Sequence, residues 1–123
     1  MGIDLTIGLL NYQKKTDNYW FEYSRLSFDR NYDVFSLFGL ERSDKYKKLI
    51  NEKKIPVNTK LERYTDEGCK EVTENAYGEQ ITWFYAGDLR NLPKDIDTSD
   101  WNKGILSLLQ TINEKTIVIL WWC

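Results

Sequence analysis

The chain closes on TIVILWWC, residues 116–123, an unbroken apolar run with two adjacent tryptophans. Such a run can be a membrane anchor, an interaction tail or a strand inside a core. It is far shorter than the roughly 20 apolar residues that span a bilayer. It is rich in β-branched residues and follows an amphipathic stretch across a tight NEKT connection. A helix followed by a short, wholly apolar, β-branched run predicts an interior strand covered on both faces. Each large side chain buried there is worth on the order of 1.5–3 kcal/mol before entropy costs.

Working back from that strand, residues 99–114 predict a helix whose buried stripe is Trp101, Ile105, Leu108, Leu109 and Ile112. Gly104 lies inside it, at a cost of about 1 kcal/mol relative to alanine unless close packing needs it. NLPKDIDTSD, residues 91–100, is a loop rich in capping residues. EQITWFYAGDL, residues 79–89, predicts another strand, with Ile81, Trp83 and Tyr85 opposing Thr82, Phe84 and Ala86. The polar middle, residues 58–79, offers KLERYTDEGCKEV as an exposed strand or hairpin and TENAYGE as turn chemistry.

At the other end, IDLTIGLLNY (3–12) and the aromatic NYWFEYSRLSF (18–28) predict a hairpin across QKKTD. The period then changes. DRNYDVFSLFG (29–39) reads as a helix, with Asp29 or Asn31 as cap and Gly39 as a left-handed stop. SDKYKKLINEKK (43–54) predicts a second short helix, capped by Ser43, with a stripe of Tyr46, Leu49 and Ile50 and an end before Pro56. The expected fold class is α+β. It is one compact domain over residues 1–123, with a mixed, mainly antiparallel sheet. An N-terminal hairpin, two short helices, one longer C-terminal helix and a buried C-terminal strand complete it. A chain of 123 residues fits one domain.

Composition narrows the function. Seventeen basic side chains face nineteen acidic ones, a balance that argues against duplex nucleic acid as partner. The N-terminus lacks the order of a signal peptide, and no apolar stretch reaches membrane-spanning length, so a cytoplasmic protein without a membrane partner is expected. MGIDLT matches a myristoylation start formally, but Ile3, Leu5 and Ile7 alternate like a strand. Cys69 and Cys123 form no metal or redox spacing and are expected as free thiols. Histidine is absent, which removes the usual general base, the Ser-His-Asp triad and the commonest metal ligand. No enzyme activity, metal or cofactor is therefore expected.

Eighteen residues are aromatic, and several stand beside arginines. Most such rings fill a core. The sharper reading takes Trp20, Tyr23, Trp83 and Tyr85 as flat surfaces for stacking. Arg25, Arg30 and Arg90 would then hold phosphate, and Asn31 and Tyr32 sit at a helix start. Of the acids, Asp4 stands out: inside an apolar strand it should be exposed at an edge or paired with Arg25 or Arg30.

MGIDL and DRNYDVFSLF together resemble a loose group of small uncharacterised bacterial and phage proteins. These begin MG(C/I/L)D(I/L) and carry an RNY-x-(L/V)F element downstream. The resemblance covers the first third of the chain and rests on Gly2, Asp4, Arg30, Asn31, Tyr32 and Phe35. Many of those proteins have histidine soon after the aspartate. This chain has Thr6, so no role of that histidine carries over. The ending WNKGILSLLQTINEKTIVILWW is similar to the helix-then-strand ending of various small bacterial proteins. The resemblance implies a bacterial or phage setting.

Three functions follow as expectations. The first is a non-catalytic phage or mobile-element protein that sequesters a small anionic nucleotide-like signal, a counter-defence sponge acting in immune evasion. The second is an inhibitor or immunity protein that neutralises a toxin or effector by direct binding. The third is a carboxylate enzyme built on residues such as Asp4, Asp29 and Asp88. A homodimer is compatible with each.

Overall fold

The computed structural model describes residues 2–13, 18–54, 62–65, 67–71 and 73–123; the side chains of residues 11–13, 18–24, 62–65 and 69–71 lie outside that description. In chain order, β1 (Leu5–Gln13) and β2 (Asn18–Ser27) pair antiparallel as the expected hairpin, and α1 (Tyr32–Ser36) follows. Next come β3 (Lys53–Lys54) and the hairpin of β4 (Glu62–Thr65) and β5 (Gly68–Glu71). The chain continues through β6 (Thr82–Tyr85), a 3-10 turn (Ala86–Leu89), α2 (Asp100–Thr111) and β7 (Ile117–Trp122). The five-stranded sheet has the order β2-β1-β7-β6-β3, all neighbours antiparallel, and β4 and β5 form a two-stranded sheet of their own. This is one small α+β domain.

The closing run is an inner strand. β7 lies between β1 and β6, and Ile117 to Leu120 are buried on both faces. Val118 and Leu120 join Leu5, Ile7 and Phe84 on one face; Ile117 and Ile119 join Leu10, Ile81 and Trp83 on the other. The two ends of the chain meet here, with Asp4 N–H on the Cys123 carbonyl and Cys123 N–H on the Asp4 carbonyl, both 2.9 Å. The first face is roofed by Phe35 and Phe38 near α1, Leu89 of the 3-10 turn, and Ile105, Leu106 and Leu109 of α2.

Asn31 caps α1, its Oδ1 accepting the amides of Asp33 and Val34 at 3.1 and 3.2 Å. Gly39, at φ +99°, ends the following turn as the sequence predicts.

Three elements differ from expectation. Residues 43–54 form no helix. Their amides find tertiary acceptors instead: Leu49 N–H donates to the Leu37 carbonyl at 3.0 Å and Asn51 N–H to the Asp88 carboxylate at 2.9 Å. A short lysine-rich helix is marginal by itself, so these bonds win. The segment ends in β3, a two-residue edge strand of two lysines, which blunts that edge against further pairing; Pro56 lies outside the described residues. The strand predicted over 79–89 stops at Tyr85. Beyond it Ala86 N–H bonds the Thr116 carbonyl and Gly87 N–H the Glu114 carbonyl, which curls the chain into the 3-10 turn. Finally, α2 keeps Ile105, Leu109 and the half-buried Ile112 of its predicted stripe, but the stripe is shifted at its edges. Its buried residues are Asn102, Ile105, Leu106 and Leu109, while Trp101 and Leu108 are 54% and 39% exposed. A polar residue in the buried stripe defeats a rule that counts apolar positions. Nothing approaches Gly104, so its helix cost stands uncompensated.

Candidate functional site

The two short motifs at the start of the chain meet in space. Arg30 forks onto Asp4, with Nε on Oδ1 at 2.9 Å and Nη2 on Oδ2 at 2.8 Å. The guanidinium lies where a side chain on residue 2 would begin: a Cβ there would stand 1.9 Å from Arg30 Nη1, so glycine is what lets the fork close. The Tyr32 hydroxyl accepts Ile3 N–H at 3.2 Å, and the Arg42 guanidinium stands 5.4 Å from the Tyr32 ring. Asn31 Nδ2 donates to the Asp97 carbonyl and Thr98 Oγ1, both at 3.2 Å. Phe35 meets Trp122 edge-on at 5.8 Å. Beyond β7, the Tyr77 hydroxyl donates to the Cys123 carbonyl at 3.0 Å.

The hydrogen bonds from Arg30, helped by its charge and opposed by partial desolvation, hold the Asp4 carboxyl below its usual range. A depressed carboxyl stabilises the fold above its unfolded pKa, near 3.8, and that contribution fades as pH falls through the lower folded value. Both side chains are about half exposed, so the effect is modest. Asp4→Asn is expected to lower the urea midpoint at neutral pH and to converge on the parent protein as the pH falls below 3.8 and through the lower folded value. A constant difference across that range would show that the fork contributes nothing through charge.

Of the nine predicted binding residues, the seven whose side chains are described do not assemble at one place. Arg30, Asn31 and Tyr32 belong to the fork and its surroundings. Arg25, Trp83 and Tyr85 face the other side of the sheet from Tyr32, which packs on Phe35 under the helices. Arg90 is ion-paired with Glu114. The side chains of Trp20 and Tyr23 lie outside the described residues. Strand register does align one row across the far face: Arg25, Gly8, Ile119, Trp83 and Lys53. Trp83 there is buried and meets Tyr85 edge-on at 4.9 Å, and the Lys53 ammonium stands 5.1 and 4.8 Å from the two rings. Lys53 was hidden in the sequence because NEKK reads as the wet side of a helix. The candidate acids are also engaged: Asp29 Oδ2 accepts Ser99 Oγ at 2.7 Å, and Asp88 binds Asn51 N–H.

Three clefts among the described residues are lined by none of the nine. One, of about 240 Å³, opens beside the fork and is lined by residues including Ile3, Leu40, Glu52, Tyr77, Glu79 and Trp122. The turn that carries Tyr77 and Glu79 is organised by buried Asn75, whose Oδ1 accepts both their amides, at 2.9 and 3.2 Å. Gly78 supplies the positive φ of 75° that this turn requires. The AYG turn signal was legible in the sequence, but not that its ring would stand exposed.

Among the described residues no group of three or more histidines, cysteines, aspartates or glutamates is placed to hold a metal ion, and no helix is long and apolar enough to cross a membrane. Compared with family models, curated proteins and solved structures, the chain matches none.

Proposed function

We propose that this protein is a non-catalytic binding protein of the inhibitor or immunity type, which blocks a toxin or effector by covering it. The observation that carries this reading is a pair of exposed rings flanking the meeting point of the chain ends. Trp101 stands outside β2 with its Nε1 on the Ser27 carbonyl at 2.7 Å, and Tyr77 stands beyond β7 on Cys123. In strand order the Asp4–Arg30 fork lies between them. Neighbouring strands are about 4.8 Å apart, so the whole set fits the roughly 800 Å² that one partner contributes to an ordinary interface. Tryptophan, tyrosine and arginine are the residues that dominate binding energy in such patches. The setting suggested by the resemblance, bacterial or phage, suits this role.

The test is co-expression with the product of an adjacent toxin-like gene. The double variant Tyr77→Ala/Trp101→Ala is expected to weaken the complex at least about 100-fold, as loss of two central aromatics does, with its melting temperature little changed. Full affinity in that variant would remove the surface from the reading.

A nucleotide-like anion remains the second reading. Lys53 over Trp83 and Tyr85, with Arg25 at the far end of the same row, is the arrangement that favours it. It predicts a rise in melting temperature with a panel of linear and cyclic nucleotides, which the first reading does not.

A further inference from the structure

We propose that the cleft between the turn at residues 75–79 and the corner at Gly39 and Leu40 receives a basic side chain of the partner protein. Its guanidinium or ammonium would sit on Glu79 and its stem against Leu40 and Trp122. This rests on the partner reading above and names the chemistry the partner must present. Two carboxylates, Glu52 and Glu79, line the cleft, and no lysine or arginine does. Lys48 at the margin already meets Glu52, so the charge that draws in a cation rather than a phosphate is that of Glu79. The Tyr77 and Trp122 rings supply the flat apolar surface over which a guanidinium or ammonium is stabilised.

The chain itself shows that the cleft margin accepts such a group. Lys48 lies along Gly39, its Cε and Cδ 3.6 and 3.7 Å from where a side chain on that glycine would begin, and its ammonium pairs with Glu52. Glu52 is thus already matched from within the protein. Among the described residues Glu79 has no ion pair, and it is the carboxylate left for a partner. The volume, about 240 Å³, lies below the range of sites for whole small-molecule ligands and suits one long side chain.

The probes are n-butylguanidinium and n-butylammonium, with n-butanol and butyrate as neutral and anionic controls, followed by NMR at the Trp122 indole and the Tyr77 amide. The two cations are expected to shift both signals saturably and the controls not. Glu79→Gln should weaken the cations about five-fold, the order an exposed ion pair supports, and Lys48→Met should tighten them by freeing Glu52. Trp101→Ala, remote from the cleft, should leave probe affinity unchanged. An equal response to butanol, no saturable shift, or an unaltered Glu79→Gln variant would overturn the inference. In complex with the partner protein, Glu79→Gln should weaken binding by a similar factor. If the probes bind but that complex is indifferent to Glu79, the cleft takes a free amine and the proposed source is wrong. If the complex depends on Tyr77 and Trp101 while the probes fail, the cleft proposal falls and the proposed function stands.

Discussion

Asn102→Leu is expected to destabilise the protein by about 2–4 kcal/mol, although leucine is apolar, helix-favouring and close to asparagine in size. Asn102 is fully buried on α2. Its Oδ1 accepts Asp29 N–H at 2.7 Å, and its Nδ2 donates to the Asp29 carbonyl at 3.0 Å and to Thr98 Oγ1 at 2.9 Å. One side chain thereby binds the exit of β2 to the start of α2. Leucine leaves the amide and carbonyl of Asp29 without these partners at a partly buried site, where an unmade hydrogen bond costs more than a made one contributes. Urea unfolding measures the loss. A change under about 1 kcal/mol would mean that water replaces the amide and that the tie is dispensable. Because Asp29 precedes Arg30, the same variant should loosen the fork and broaden the NMR signals of the N-terminal residues.

Phe35→Ala carries the other large effect, about 3–5 kcal/mol, the usual cost of emptying a core phenylalanine site. Phe35 is completely buried and touches Phe28 at 6.4 Å, Tyr32 at 6.1 Å and Trp122 at 5.8 Å between ring centres. Those rings come from the end of β2, from α1 and from the end of β7, so no single neighbour can move in to fill the space. Against a total stability of about 5–15 kcal/mol for a domain of this kind, the loss is a large share. The variant also removes the ring behind Trp122, a wall of the cleft. Its melting temperature should fall sharply, and tryptophan emission should shift red before unfolding begins. A small drop in stability with unchanged emission would show that the helices bear on the sheet elsewhere.

The legible parts of this protein were those written in local periodicity. Alternating residues foretold β1 and aromatic richness β2, a cap at Asp29 or Asn31 and a stop at Gly39 foretold the ends of the first helical turn region, and the unbroken run foretold β7. Asp4 was legible as a residue in need of a partner, and Arg30 is that partner. The helix expected over 43–54 failed because its amides are taken by Leu37 and Asp88, residues far along the chain or in another element. The face of α2 was legible at Ile105, Leu109 and Ile112 but misplaced at Trp101 and Leu108, because a buried asparagine looks, in a sequence, like an exposed one. The members of the candidate binding set with described side chains fall in more than one place, because aromatic and arginine residues were grouped by type. Trp83, on a strand, faces one side of the sheet, whereas Tyr32, on α1, packs with the helices on the other.

By itself, then, the sequence determined the α+β class, the N-terminal hairpin and the burial of the closing strand, because hydrophobic period and turn chemistry act over a few residues. Only the tertiary structure decided that Gly2, Asp4, Arg30 and Tyr32 form one cluster, that Lys53 covers Trp83 and Tyr85, and that Tyr77 and Glu79 border a cleft with Trp122. Each of those depends on which strands become neighbours. That choice is made by the burial of whole faces, and no local stretch of the chain carries it.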